Sequence, residues 1–82
     1  IKNYSEAIAL DPENKALYSN RSGAYMAVGG SVSKAFKDAE KCVALDRNWA
    51  KGYSRLGAAQ HALYRFAQAQ QSYRTAWKSS RG

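Results

Sequence analysis

Eighty-two residues with 45% apolar letters, 23% charged and a single proline make one small globular domain and exclude the compositions of disordered and collagen-like chains. Thirteen Lys+Arg against six Asp+Glu leave a formal +7, which favours an acidic partner without deciding between peptide, nucleic acid and lipid. One cysteine, Cys42, and one histidine, His61, exclude an internal disulfide and a zinc-type ligand cluster and point to an intracellular, reducing setting. No apolar run approaches the roughly 20 residues of a membrane-spanning helix, and Ile1-Lys2-Asn3-Tyr4 is not a signal peptide. The chain opens without Met inside a helical pattern and stops just after another, so both ends are expected to be truncated.

In chain order, Ile1, Tyr4, Ala7, Ile8 and Leu10 fall at helical spacing, the tail of a first helix. Asp11-Pro12-Glu13-Asn14 offers a capping acid and a proline suited to a first helical position, so a second helix is predicted to start there. Its apolar side reads Leu17, Tyr18, Tyr25 and Val28, and Gly29-Gly30 ends it. Ser31 or Ser33 caps a third helix with a buried face of Ala35, Phe36, Ala39, Cys42 and Val43. Asp46 is read as the cap of a fourth helix, carrying Trp49, Tyr53, Leu56, Gly57, Gln60, Leu63 and Tyr64. After Tyr64-Arg65 a fifth helix presents Phe66, Ala69, Tyr73, Ala76 and Trp77, and no segment has a strand pattern. Tyr18, Tyr25, Trp49, Tyr53 and Phe66 are read as core.

The chain also resembles itself. Ala9-Leu10-Asp11 returns as Ala44-Leu45-Asp46, and Tyr18-Ser19-Asn20-Arg21 returns in outline as Tyr53-Ser54-Arg55, an offset of 35 residues. A helix-pair repeat near this length implies stacked units with a shared core and an extended concave face. The fold class is therefore all-α, antiparallel helix-pair repeats of about five helices. Its units are residues 1–12 as the end of one repeat, 13–47 as a second and 48–82 as a third.

These residues resemble the tetratricopeptide repeat, with its small and aromatic residues at fixed offsets over about 34 positions. Tyr53, Leu56, Gly57, Ala69, Tyr73 and Ala76 fit one repeat. Tyr18, Ser22, Tyr25, Ala35, Ala39 and Cys42 fit the one before, with an extra residue near Gly30-Ser31, and Tyr4, Ala7 and Pro12 fit the end of a preceding unit. Small residues at Ser22, Ala35, Gly57 and Ala69 let paired helices approach closely. Arg47 and Gln60 depart from the pattern, at the usual repeat-end proline and at a large apolar position. Tyr73 and Trp77 are expected to form an exposed apolar edge, a route to self-association.

Leu17-Tyr18-Ser19-Asn20-Arg21-Ser22 followed by Trp49-Ala50-Lys51-Gly52-Tyr53-Ser54-Arg55 is similar to the carboxylate-clamp subclass, above all to the first repeat domain of the chaperone-organising co-chaperone family, Hop. That resemblance implies a cytoplasmic interaction module, not an enzyme and without a cofactor. Its ligand would be the acidic Glu-Glu-Val-Asp tail of the 70- and 90-kDa heat-shock chaperones. Asn20, Lys51 and Arg55 match three of the five clamp positions, and the other two would lie before Ile1. Gly23, Met26, Ala27, Ala58 and Ala62 would line the groove for the rest of the peptide.

The residue types suit such a task. Lys51 and Arg55, four apart on a helix, are like charges that repel unless an anion lies between them. The flat guanidinium meets a carboxylate with paired donors, the ammonium acts as a point charge, and Asn20 adds an uncharged donor. A competing reading, a basic nucleic-acid-binding repeat, rests only on the +7 and on Arg65, Arg74, Lys78 and Arg81 and is disfavoured for want of a readout motif. A third makes the chain the targeting module of a chaperone-associated enzyme. His61 and Cys42 are read as surface or structural residues, since no nucleophile–base set assembles around either.

Overall fold

The computed structural model describes residues 2–81, with side chains from residue 3 to residue 80. Ile1, the Arg81 side chain and Gly82, which the sequence placed in the first stripe, the basic end and the last repeat, lie outside the described residues. Five helices follow one another: α1 (Lys2–Leu10), α2 (Lys15–Val28), α3 (Val32–Leu45), α4 (Ala50–Ala62) and α5 (Phe66–Arg81). Among the described residues there is no strand. Three-residue connections fold α2 against α3 and α4 against α5, α3 also packs on α4, and α2 touches α4 directly. α1 packs only on α2 among the described elements. The result is a slab of 32 × 29 × 15 Å, thin because it is little more than one helix pair deep.

The internal repeat reappears in the hydrogen bonds of the two Leu-Asp turns. Asp11 N–H donates to the Ala7 carbonyl (2.9 Å) and the Asp11 carbonyl accepts from Asn14 N–H (3.2 Å). Thirty-five residues on, Asp46 N–H donates to Cys42 (3.1 Å) and the Asp46 carbonyl accepts from Trp49 N–H (3.3 Å). Each following helix therefore starts later than its aspartate. This corrects the predicted caps: Asn14 is the N-cap of α2, its side chain accepting from Ala16 N–H, and Trp49 occupies that position in α4. Pro12 lies in the turn, not in the first turn of α2. Asn14 prevails because a capping oxygen must sit beside the first unpaired amides, and Asp46 instead accepts from Asn48 N–H (3.0 Å).

Asp46 also forms an ion pair with Lys15, whose ammonium lies 4.6 Å from the centre of the Trp49 ring. This contact fastens the start of α2 to the α3–α4 turn. The Lys15 hydrogen bond, reinforced by that of Asn48, holds the Asp46 carboxyl below its ordinary range. A folded-state value below the unfolded one stabilises the fold above about pH 4, and the benefit disappears as pH falls through the lower folded value. Asp46→Asn is therefore expected to narrow the drop in Tm between about pH 5 and pH 2 relative to the parent chain, read by thermal denaturation at each pH.

The core is made of small side chains. Ala35, Ala39, Cys42 and Ala59 are fully buried, as are Ser19 and Ser22, because the helices approach too closely for larger groups. Ser22 Oγ donates to the Ala35 carbonyl at 2.8 Å across the α2–α3 contact. At Gly57 a Cβ would stand 2.8 Å from the Tyr73 ring, so α4 and α5 meet only because no side chain intervenes. Gln60, polar where a large apolar residue was expected, is buried and accepts from Ser72 Oγ at 2.6 Å. A buried amide with a partner is tolerated where an unpaired one would be costly.

Four readings of apolar faces need correction. Leu10 is 89%, Tyr64 82%, Val28 65% and Phe66 54% exposed, so none of them belongs to the core. The ring of Phe66 instead packs edge-on against His61, 5.1 Å between centres. The aromatic edge expected at Tyr73 and Trp77 is present, at 43% and 58% exposure. Gly29 and Gly30 both take positive φ, 72° and 71°, the conformation that glycine adopts without steric cost. At the α4–α5 turn Tyr64 takes the same region (φ 64°), with Tyr64 N–H donating to His61 and Arg65 N–H to Gln60. A tyrosine thus fills the place in a Schellman cap that glycine usually holds.

Candidate functional site

Arg55 is the centre of the predicted site and is half-buried. Its Nε donates to Ser19 Oγ at 3.3 Å. The guanidinium covers Gly23, where a Cβ would lie 3.0 Å from Nη1, 3.1 Å from Cζ and 3.3 Å from Nη2. Ser19 and Gly23 are one helical turn apart on α2, so together they form a seat on which the group from α4 rests. The space above Gly23, predicted as room for a peptide, is thus taken by Arg55 itself.

Asn20 adjoins this seat, three residues before Gly23 on α2, and Lys51 lies one turn before Arg55 on the exposed surface of α4. Among the described residues neither Asn20 nor Lys51 makes a side-chain hydrogen bond or ion pair. Met26, Ala58 and Ala62 are half-buried and Ala27 is exposed.

Two further cations near this face are already engaged. Lys15 is bound to Asp46. Arg21 forms a two-pronged ion pair with the buried Asp38, Nε to Oδ2 at 2.8 Å and Nη2 to Oδ1 at 2.7 Å, and Nη1 donates to Ser5 at 3.1 Å. The hydrogen bonding that Asp38 accepts holds the Arg21 proton more firmly still, against the effect of burial. Arg21 thereby links α1, α2 and α3, and sequence reasoning missed this role along with the Ser19 contact. The Cys42 thiol is pushed up mainly by burial, partly offset by the positive charges of Lys15, Arg55 and Lys51. A thiol so shifted is a poor nucleophile. Among the described residues no group of three His, Cys, Asp or Glu is placed to hold a metal ion, and no helix is long and apolar enough to cross a membrane.

A separate cleft of about 580 Å³ lies between α3 and α5, lined among others by Phe36, Tyr53, Gln60, Arg65 and Ser72. The Arg65 guanidinium spans it over the Phe36 ring at 5.2 Å. None of the predicted site residues lines it.

Among the described residues the helices thus stack in antiparallel pairs, with Asn20 and Lys51 free of side-chain partners beside the seated Arg55 on the α2–α4 face. No model of a known protein family matches the chain. It is 40% identical over 78 residues to an Hsp70-Hsp90 organizing protein of Triticum aestivum, an alignment that spans 95% of this chain and 13% of that protein. Its structure is similar to the second TPR of Spaghetti bound to the HSP90 peptide SRMEEVD, with TM-score 0.84 and 31% identity over 90% of this chain and 68% of the other. It is similar also to the Sgt2 TPR domain from Aspergillus fumigatus, with TM-score 0.89 and 32% identity over 94% and 50%. The chain belongs to the tetratricopeptide-repeat family. Its relatives include Hsp70-Hsp90 organizing proteins, of whose length it spans about an eighth.

Proposed function

We propose that this chain is a co-chaperone interaction module of the carboxylate-clamp type, built from the end of one repeat (1–12), a second (13–47) and a third (48–82). Its α2–α4 face binds the acidic C-terminal tails of cytoplasmic 70- and 90-kDa heat-shock chaperones ending in Glu-Glu-Val-Asp. The observation that carries the reading is the free hydrogen-bonding capacity of Asn20 and Lys51 beside a seated Arg55. Two cations and an amide together satisfy a carboxylate better than water does only if their geometry is set beforehand. Relatives named for Hsp70 and Hsp90, and the Spaghetti TPR bound to SRMEEVD, support the choice of ligand. Met26, Ala27, Ala58 and Ala62 would accommodate the peptide beyond its end. The same module attached to a chaperone-associated enzyme would bind through the same residues.

The test is a titration of the peptide SRMEEVD against its C-terminally amidated twin. The free acid is expected to bind at least tenfold more tightly, which corresponds to about 1.4 kcal/mol, the lower end of a charge-assisted hydrogen bond. Equal affinity for the two peptides would sink the proposal.

A further inference from the structure

An arginine side chain offers a carboxylate two edges. Nη1 and Nη2 make the end edge, Nε and one Nη the side edge, and either can supply a pair of parallel hydrogen bonds. In this fold the side edge of Arg55 is occupied, because Nε donates to Ser19 Oγ at 3.3 Å. Ser19 has no exposed surface, so its hydroxyl cannot turn to water as an alternative partner, and a buried hydroxyl without one is costly. The guanidinium is also held broadside. Nη1, Cζ and Nη2 lie within 3.0–3.3 Å of the position a Gly23 Cβ would take, so the flat group lies across the α2 backbone, confined by Gly23 beneath and by Ser19 at its side.

The geometry points to Ser19 as a positioning residue that, by taking the Nε proton of Arg55, leaves only the two terminal nitrogens for a ligand, so that the site accepts a carboxylate end-on. The inference rests on the α2–α4 face being a carboxylate site and adds what orients it. Ser19 touches no ligand. It removes one of two binding modes before the ligand arrives and fixes the rotation of the fork, which lowers the ordering cost of binding. A lysine at position 55 would keep the charge but have no Nε–H for Ser19 to hold.

Two measurements on the full chain test it. The first needs no variant: the Arg55 Nε–H resonance of the ¹⁵N-labelled protein is expected to exchange slowly with solvent and to move less than the Nη resonances when SRMEEVD is added. An Nε–H that exchanges as freely as that of an exposed arginine, or that shifts on binding as much as the Nη groups, would overturn the proposal. The second is a double-mutant cycle with the same peptide. Ser19→Ala is expected to weaken binding about tenfold in the parent chain and to leave affinity unchanged in an Arg55→Lys background. Equal losses in both backgrounds would mean that Ser19 only packs the α2–α4 contact, and the positioning role would be lost. Failure of the underlying reading is distinguishable: the free and amidated peptides would then bind alike while Nε–H stayed protected, and end-on acceptance would fall with the carboxylate site.

Discussion

Asp38→Ala is expected to destabilise this chain by about 3–5 kcal/mol, enough to lower Tm by more than about 10 °C in a domain of this size. The carboxylate is 7% exposed and accepts both prongs of Arg21, itself only 20% exposed. Removing the acid leaves a guanidinium confined between helices with Ser5 and the rings of Tyr18 and Tyr25, 5.9 and 5.7 Å away, as its remaining partners. Those contacts do not replace two charge-assisted hydrogen bonds. The pair also has a mechanical role, since through Ser5 it joins α1, which otherwise packs on α2 alone among the described elements, to the α2–α3 pair. Urea denaturation of Asp38→Ala and of Arg21→Met measures it. Arg21→Met leaves a buried carboxylate unpaired and should also be destabilised, whereas the double variant Arg21→Met/Asp38→Ala, with no buried charge, should recover part of the loss. A cost under about 1 kcal/mol for Asp38→Ala would mean that the pair behaves as a surface ion pair.

The helices and their pairing were legible because both depend on periodicity. Apolar letters at helical spacing and an offset of 35 residues between the Leu-Asp turns define stacked helix pairs without any side-chain detail. What was not legible depends on which of two similar residues faces inward. Ser19 and Ser22 are fully buried while Val28, on the same helix, is 65% exposed, since close helix approach selects for small volume more than for hydropathy. Asp38 reads as one more charge on a solvated face until Arg21, seventeen residues earlier, is brought beside it. The caps were misplaced for a related reason. Asp11 and Asp46 are good capping residues, but each sits one turn too early, where its backbone carbonyl closes the turn instead. Of the proposed site, Asn20, Lys51 and Arg55 are named by the family resemblance. The seat beneath Arg55 could not be read from the sequence, because it depends on a contact between residues 36 positions apart.

Arg55→Ala is expected to weaken binding of a free-carboxylate SRMEEVD peptide by about 2–3 kcal/mol, and Lys51→Ala by about 1–2 kcal/mol, with little change in stability for Lys51→Ala and a modest loss for Arg55→Ala, which takes away the partner of the buried Ser19 hydroxyl. The order follows from exposure. Arg55 is half-buried and held by Ser19, so its hydrogen bonds form at low ordering cost and away from much of the solvent, whereas Lys51 is exposed and its ammonium must be both desolvated and immobilised. The two losses should not add if, as proposed, one carboxylate group meets both cations. Isothermal titration at two salt concentrations tests this and separates the peptide reading from the basic nucleic-acid reading. A clamp on a peptide terminus should lose most of its affinity with these two residues and respond modestly to salt. A nucleic-acid surface drawing on the whole +7 would show a steep logarithmic salt dependence that neither variant alters by more than about one charge. If Arg55→Ala bound the free peptide as tightly as the parent chain, the α2–α4 face would not be where the carboxylate is held.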